Sequence, residues 1–372
     1  MENSVTNRQL FFIIIISAIS LSSVVMPNIM GKTGGKGAWL SLFIAAVFFM
    51  VAVLLITHLG HLYPGKSLAE YSELLMGKVA SRICCGFYVI YFFIFLVLFV
   101  RSAADIIQAE ILYKTPVWAT MLLIMTTSLY AASKGLTNLG RIIEYLGLIV
   151  LVMSFILQII TFSHGNPLNN LPLIDTAEIG RYIRAAPSAI FGFLGFEVIT
   201  IIPLFKRNGP KAKRAAVAAI LVVCIFCIVL LEACYSVLGI DDIVNYDYPL
   251  LTAIRRLDIA ALQFAKRLDL FFIMAWLTSI FCTTSLIVFA SAKYTKKFIP
   301  KLSTLIPMLA IGAAAYAAGL LIPNAEDTLQ VFNHFLMYIG LFPAFIIPLV
   351  LWIVHLLRSR RGNTGEEVMN HQ

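Results

Sequence analysis

Charged residues are scarce in this sequence. Of its 372 residues, 13% are Asp, Glu, Lys or Arg and 60% are hydrophobic, whereas soluble domains have about 25% charged and about 45–50% apolar residues. The mean hydropathy of +0.91 is spread over the whole length, so the apolar excess does not form one core. We therefore predict an all-α polytopic membrane protein in a lipid bilayer, and a soluble fold is excluded.

Cysteines are few, and none of them lies in a polar loop. All six are inside apolar segments, which excludes a disulfide scaffold of the kind found in secreted proteins. Cys224 and Cys227 form a CxxC pair, but a redox or zinc pair needs polar surroundings and further ligands. We interpret both as small apolar residues within a helix.

A catalytic constellation is also missing. Neither a group of His, Asp and Ser nor a metal-ligand cluster shares one membrane depth, so we expect no enzyme activity and no cofactor. The net charge of +9 does not indicate nucleic-acid binding. Its Lys and Arg residues stand in short clusters between apolar runs, as in residues 206–214, which is typical of cytoplasmic loops.

Apolar runs of about 20 residues recur along the chain, and that length crosses a hydrocarbon core of about 30 Å. We predict about ten transmembrane helices in a single transmembrane domain, residues 1–372. The first run has the form of a signal sequence, but no small-residue cleavage site closes it, so we predict that it stays as a span. The ten runs are residues 9–30, 38–60, 82–108, 116–133, 138–162, 186–205, 214–238, 269–292, 304–322 and 333–357.

The distribution of Lys and Arg predicts the topology. Most of them fall on one side of the membrane if both termini are cytoplasmic, including those of the tail 358–372. Ten spans divide into two halves of five, about 9–162 and 186–357, and an odd number of crossings inverts the second half. Inverted repeats of this kind are typical of transporters. The repeat is inferred from topology, because the halves share no convincing residue pattern.

Helix-breaking residues cluster in spans 1 and 6, which hold matching positions in the two halves. Span 1 contains Ser20 and Ser22 before Pro27, and span 6 contains Gly192 and Gly195. Unwound backbone survives in lipid only where it is buried in protein or lines a cavity. We therefore predict that helices 1 and 6 are broken and bind a small polar solute at mid-membrane. The alternative is that these small residues allow close helix packing.

Glu197 lies near the midpoint of span 6. An ionised side chain at that depth costs about 2.5 to 3.5 kcal/mol on insertion scales, so four interpretations are open. The carboxyl group is a neutral proton carrier, pairs with a cation of the protein, holds the ammonium group of a ligand, or makes a structural hydrogen bond to a neighbouring helix. We include Glu197 among the predicted ligand-binding residues.

Two other groups of polar residues lie within spans. Thr283 and Thr284 are near the middle of span 8, where they either face the solute cavity or bond to helix carbonyls. Arg101 and Asp105 stand four residues apart toward the outer end of span 3 and are able to pair on one helix face. This pair is either a gate or vestibule contact, or it extends to the membrane interface.

Several segments, taken in order, carry a family resemblance. They are Gln9, GKGAW at 35–39, YPGKSLAEYSELLMGK at 63–78, GLTNLGRIIEYLG at 135–147, RLD at 267–269 with Trp276, and VFNHFLMYIGLFPAFIIPL at 331–349. Their order and spacing resemble the B subunit of bacterial spore germinant receptors, the endospore germination permease family. Relatives often have Asp in a Gly-x-Asp-x-Trp pattern where this chain has Lys36.

The resemblance implies a branch of the amino acid–polyamine–organocation transporters, with two inverted five-helix repeats of the LeuT-like kind and a site at broken helices 1 and 6. A Gly-x-Gly usually marks the break in helix 1 of that fold, and the matching residues here are Ser20, Leu21 and Ser22. The resemblance also implies a small nutrient ligand, an A-type membrane subunit and a C-type lipoprotein as partners, and a place in the spore inner membrane.

Two functions are compatible with these features. In the first, the protein senses a germinant, such as an amino acid, and signals to its partner subunits. In the second, it is a transporter that couples uptake of an amino acid or similar solute to H⁺ or Na⁺, with Glu197 as the coupling group. The family resemblance favours the sensor.

Overall fold

The computed structural model describes residues 5–205, 209–257, 268–323 and 325–369. These residues form α-helices, shorter 3₁₀ and π-helical turns and no strand, which confirms the all-α class. The α-helices are α1 (Asn7–Gly34), α2 (Ala38–Leu62), α3 (Leu68–Glu110), α4 (Val117–Ser133), α5 (Leu136–His164), α6 (Ile179–Ala185), α7 (Gly209–Leu238), α8 (Ile240–Ile243), α9 (Pro249–Arg255), α10 (Leu268–Thr295), α11 (Leu305–Leu320), α12 (Ala325–Ile339) and α13 (Ile347–Met369).

The apolar helices coincide with the predicted spans. Six helical stretches of the described chain are long and apolar enough to cross a membrane, and three shorter apolar helices accompany them. Together they cover every predicted span except the sixth, which is interrupted. The protein is therefore an integral membrane protein, as its composition predicts. The boundaries of the two repeats remain a prediction.

Helix α1 lies at the centre of the bundle. It packs against α5, α7, α10 and the 3₁₀ turns that follow α6. Its run Ile13–Ile16 is buried, as expected of a helix that is apolar on all faces. A capping box begins the helix: Gln9 N–H donates to Thr6 Oγ1 at 3.2 Å, and Thr6 N–H donates to Gln9 Oε1 at 3.0 Å.

The predicted break in helix 1 is not present, because α1 is helical from Asn7 to Gly34 and continues through Pro27. The serines bond to the helix rather than replace it: Ser17 Oγ donates to Ile13 O at 2.6 Å and Ser22 Oγ to Ala18 O at 2.9 Å. Bonds of this kind bend a helix without interrupting it. The prediction of a broken helix 1 was therefore wrong in this detail.

The predicted break in helix 6 is confirmed. Helix α6 ends at Ala185, and 3₁₀ turns over Ala186–Gly192 and Phe196–Ile201 follow. Between these turns Gly195 has φ of 112°, a left-handed conformation that favours glycine. The α6 helix and the two turns together form the sixth span, and its backbone between residues 186 and 201 has no α-helical turn.

Two other interruptions were not expected from the sequence. Within α3, Gly77 has φ of 81° and separates a short N-terminal helix from the long span, so the segment between the second and third predicted spans is partly helical. In the last span, α12 ends at Ile339 and a π-helical turn over Phe342–Ile346 leads into α13. Pro343 in that turn has no N–H to donate, which disfavours a regular helix.

Short helices cover the end of the bundle at which α1 ends. α8 and α9 lie in the long connection between α7 and α10, and α9 packs against α1, α7 and α10. Asn28 of α1 holds this connection, because its Nδ2 donates to Val244 O at 3.1 Å and to Tyr246 O at 2.7 Å. Arg255 of α9 pairs with Glu110 at the end of α3, with Nη1 to Oε2 at 2.5 Å.

Candidate functional site

A small enclosed cavity lies between α1 and the broken sixth span. Its volume of about 10 Å³ is at the lower limit for one water molecule, so the site is closed in this structure. Hydroxyl groups line the side formed by α1, and aromatic rings line the opposite side. The lining residues are Ser17, Ala18, Ser20, Ser22, Phe95, Phe99, Phe191, Leu194, Phe332 and Leu336.

Two predicted residues of helix 1 line this cavity. Ser20 and Ser22 belong to its wall, and Ser22 Oγ is already bonded to Ala18 O. The side chain of Leu21 lies outside the described residues. A serine hydroxyl at position 20 is thus the helix 1 group best placed to meet a ligand.

The two predicted glycines of span 6 differ in their surroundings. A Cβ atom on Gly195 would lie 2.2 Å from Ser17 O, whereas one on Gly192 would lie 3.5 Å from Cys227 Sγ and 3.7 Å from Met26 Cγ. Of these two residues, Gly195 alone has no room for a Cβ atom, and it alone has a positive φ angle. It brings the broken span into direct contact with the backbone of α1.

Of the two predicted threonines of span 8, Thr283 contacts α1 beside the cavity. Thr283 Oγ1 lies 3.1 Å from Ser20 Oγ and 3.2 Å from Ile16 O, so it positions Ser20 rather than forming part of the cavity wall. Thr284 Oγ1 is buried without a hydrogen-bond partner in the described part of the chain. Neither threonine is among the residues that line the cavity.

Glu197 is fully buried, and its carboxyl group is bonded within the protein. Oε1 accepts from the Tyr91 hydroxyl at 2.5 Å, and Oε2 accepts from the Gly195 N–H at 2.8 Å. Glu197 is not part of the cavity wall, and no cation pairs with it among the described residues. Of the four interpretations, the hydrogen bond to a neighbouring helix is the one with a contact in the structure.

Arg101 and Asp105 form a buried pair away from the cavity. Arg101 Nε lies 2.9 Å from Asp105 Oδ1, and Nη1 donates to Gly319 O at 2.9 Å. The pair is 7% and 4% exposed, so it does not reach the interface, and it lines no cavity described for the chain. The interpretation that the pair extends to the membrane interface was therefore wrong, and the gate or vestibule role stays a prediction. In this structure the pair joins α3 to α11.

The sequence analysis predicted neither the phenylalanine side chains that line the cavity nor the hydrogen bond that Trp276 makes to α1. Phe95, Phe191 and Phe332 come from separate elements, and an aromatic residue in a membrane span carries no signal of which face is inward. Trp276 Nε1 donates to Ser20 O at 2.6 Å, a contact between α10 and the middle of α1. Trp276 is one of the residues that carry the family resemblance, and this was the only sign in the sequence that it has a special role.

Larger cavities lie on either side of the closed centre. One, of about 690 Å³, lies at the end of the bundle where α3 and α5 begin and includes Lys134, Arg141, Pro203 and Lys293. Another, of about 460 Å³, lies over the C-terminal end of α1 and includes Lys36. Among the described residues no group of three or more His, Cys, Asp and Glu is arranged to hold a metal ion.

The sequence matches the model of a protein family described as "Spore germination protein" over residues 4–327. The chain belongs to the spore germination protein family. Among curated relatives of this family is spore germination protein YndE of Bacillus subtilis, which is 22% identical over 364 residues, 96% of this chain and 98% of the relative. Spore germination protein KB of the same organism is 24% identical over 97% of each chain. GerLB of Bacillus cereus is 22% identical over 97% of this chain and 96% of its own.

A solved structure resembles the whole bundle. The crystal structure of MhsT in complex with L-phenylalanine matches with a TM-score of 0.71 at 14% identity, and the match covers 96% of this chain and 99% of that one. The likeness confirms the predicted LeuT-like transporter fold for this member of the spore germination protein family. At this identity it supports the fold alone.

Proposed function

We propose that this protein is the germinant-sensing membrane subunit of a spore nutrient receptor. It binds a small nutrient in the cavity between α1 and the broken sixth span and thereby triggers germination. One observation carries the proposal: a chain of the spore germination protein family has a closed cavity at the point where Gly195 interrupts span 6. Interrupted helices of this fold are where solute sites form.

The lining of the cavity supports an amino acid or similar nutrient. Ser20 offers a hydroxyl that both donates and accepts hydrogen bonds, and the phenylalanine rings opposite offer an apolar wall. Such a site suits a small molecule with one polar end and one apolar end. The amino acid named in the MhsT complex, L-phenylalanine, is of this kind. Binding requires the cavity to expand, which provides a conformational signal.

Among the residues that the sequence indicated, those of helix 1 are proposed to bind the ligand together with the aromatic wall, and the others shape or support the cavity. Ser20 and Ser22 contact the ligand, as does Leu21, and Gly195 shapes the cavity. Gly192 lies at the opposite end of the break. Thr283 supports α1 through Ser20, the Thr284 hydroxyl is buried without a partner in the described part of the chain, and Glu197 holds span 6 in position. Signalling requires partners, for which we propose an A-type membrane subunit and a C-type lipoprotein in the spore inner membrane, with both termini of this chain in the cytoplasm.

A solute transporter is the second candidate. The cavities of about 690 Å³ and 460 Å³ on opposite sides of a closed centre fit a protein that opens to each side in turn. In this function the protein couples uptake of an amino acid to H⁺ or Na⁺, and Glu197 is the coupling group.

One experiment in two arms tests both functions. Spores that lack the gene are exposed to a panel of single amino acids, sugars and nucleosides, and the fraction that germinates is compared with that of the parent. We expect the response to one nutrient class to disappear. In the second arm the purified protein in liposomes is given that radiolabelled nutrient under a H⁺ or Na⁺ gradient. Binding without accumulation supports the sensor, and accumulation supports the transporter. An unchanged response to every nutrient overturns the sensor proposal.

A further inference from the structure

Tyr91 of α3 contacts both span 6 and α12 through opposite ends of its side chain. Its hydroxyl donates to Glu197 Oε1 at 2.5 Å, and its ring stacks on Phe335 of α12 with centroids 5.3 Å apart and an interplanar angle of 20°. Tyr91 is 1% exposed. The polar end of this side chain therefore contacts span 6, while its ring contacts α12.

On the polar side, Glu197 stabilises the break in span 6. Its other oxygen, Oε2, accepts from the Gly195 N–H at 2.8 Å, a backbone group that the interruption leaves without a helical acceptor. Such a group must find a partner inside a membrane protein. Each carboxyl oxygen thus has one donor, and loss of the Tyr91 hydroxyl leaves Oε1 without its donor at a fully buried position.

On the aromatic side, the ring stack leads to the central cavity. Phe335 lies three residues after Phe332 and therefore shares a face of α12 with it. Phe332 lines the cavity and contacts Phe191 of span 6 at 5.8 Å between centroids. A cavity of about 10 Å³ admits no nutrient unless these rings move.

We infer that Tyr91 is a positioning residue that couples the state of the central cavity to the break in span 6. While the cavity is closed, Tyr91 holds the Glu197 carboxyl against the Gly195 N–H. When an occupant displaces Phe332, the shared face of α12 moves Phe335 and the Tyr91 ring with it. The Tyr91 hydroxyl then leaves Glu197, and the break loosens. The role of an occupant rests on the proposed function. The effect of Tyr91 on the bond between Glu197 and the Gly195 N–H does not rest on it.

Tyr88 provides a matched control. It lies on α3 three residues before Tyr91, is 0% exposed, and donates its hydroxyl to Pro343 O at 2.7 Å. Tyr88→Phe and Tyr91→Phe each remove one buried hydroxyl from the same helix. Only Tyr91→Phe removes a donor of Glu197.

Hydrogen–deuterium exchange of the full chain in lipid nanodiscs, without any nutrient, measures how well the Gly195 N–H is protected by its bond to Glu197. In Tyr91→Phe we expect exchange of the Gly195 amide to rise about tenfold or more, because a Glu197 carboxyl that has lost its donor at Oε1 is no longer held against the Gly195 N–H. In Tyr88→Phe we expect no change at Gly195. Equal rates in Tyr91→Phe and the parent, or the same rise in both variants, overturn the inference.

A second variant tests the coupling without a nutrient. Ala18 lines the cavity, so Ala18→Leu places a side chain where an occupant would lie. We expect exchange at Gly195 to rise in Ala18→Leu, and the double variant with Tyr91→Phe to exchange no faster than Tyr91→Phe alone. A rise in the double variant equal to the product of the two single effects overturns the coupling.

Labelling of Cys227 with N-ethylmaleimide in intact membranes is a second readout for any variant that purifies poorly. Its Sγ lies 3.9 Å from Gly192 O at the other end of the break, and the remaining five cysteines are replaced by alanine. We expect faster labelling in Tyr91→Phe and the parental rate in Tyr88→Phe. If exchange and labelling behave as expected but spores lacking the gene respond normally to nutrients, the proposed function fails and the role of Tyr91 in the break stands.

Discussion

Gly195 of the broken span lies directly against the backbone of Ser17 in α1. A Cβ atom at position 195 would be 2.2 Å from Ser17 O, closer than any non-bonded pair tolerates. The glycine is therefore required twice, once for its φ of 112° and once for this contact. The contact holds α1 and the interrupted sixth span together at the cavity.

Gly195→Ala should impair the response to nutrient, and Gly192→Ala should not. The new methyl at 195 forces α1 and span 6 apart, and overpacking of this kind costs about 1–3 kcal/mol. At 192 the methyl meets ordinary contact distances. We expect the nutrient concentration for half-maximal germination to rise roughly tenfold or more in spores with Gly195→Ala. Equal responses of the two variants at equal protein level would contradict the contact as the basis of the site.

Glu197→Gln should impair the response more than Glu232→Gln. The glutamine amide at 197 retains one oxygen, so one of its two donors, Tyr91 or the Gly195 N–H, loses its acceptor at a cost of about 1–3 kcal/mol. Glu232 accepts from Asn170 Nδ2 at 2.6 Å through Oε2 alone, and a glutamine oxygen is able to replace it. Half-maximal nutrient concentrations of spores carrying each variant measure the difference. Indistinguishable values would remove Glu197 from the proposed site.

Trp276→Phe should destabilise the packing of α10 on α1. The substitution removes the buried hydrogen bond from the indole to Ser20 O. We expect the free energy of unfolding to fall by about 1–3 kcal/mol. Trp39→Phe is the control, because its indole donates to Leu173 O at 2.9 Å in an exposed setting. Thermal unfolding of both variants in nanodiscs tests this. A smaller loss in Trp276→Phe than in Trp39→Phe would be inconsistent with the structure.

Arg101→Met should lower stability without changing nutrient sensitivity. An unpaired buried Asp105 costs about 3–5 kcal/mol, whereas replacing both charges with apolar residues costs less. We therefore expect Arg101→Met with Asp105→Leu to unfold at a higher temperature than Arg101→Met alone. For protein that reaches the membrane, the half-maximal nutrient concentration should equal that of the parent. A shifted concentration in the double variant would instead support a gate role for the pair.

The membrane class and nearly all spans were predictable from composition and segment length, because a hydrocarbon core of about 30 Å accepts only long apolar segments. The break in span 6 was predictable as well, since Gly195 and its neighbours lower the helix propensity of one segment. The break in helix 1 was predicted by the same reasoning and was wrong. Hydroxyls of Ser17 and Ser22 bond back to their own helix, and residue type alone does not separate that outcome from an unwound one.

The partners of the buried polar groups could not be predicted. Glu197 was recognisable as unusual from its depth, but its donor Tyr91 lies 106 residues away in the sequence. Arg101 and Asp105 were expected to pair, but the attachment of Arg101 to Gly319 of α11 depends on how the helices pack. The phenylalanine side chains that line the cavity belong to α3, span 6 and α12. No periodic pattern in the sequence relates residues of three separate helices.

By itself, the sequence determined that the chain spans a membrane, where its apolar segments lie, that span 6 is interrupted and to which family the chain is related. These properties are local, because each depends on the length, apolarity or backbone freedom of one segment. Only the tertiary structure decided that α1 is continuous, that Glu197 bonds to Tyr91 and Gly195, and that the cavity is closed by aromatic rings. Those properties depend on which distant side chains meet when helices pack, and a buried polar group accepts whichever donor the packing supplies.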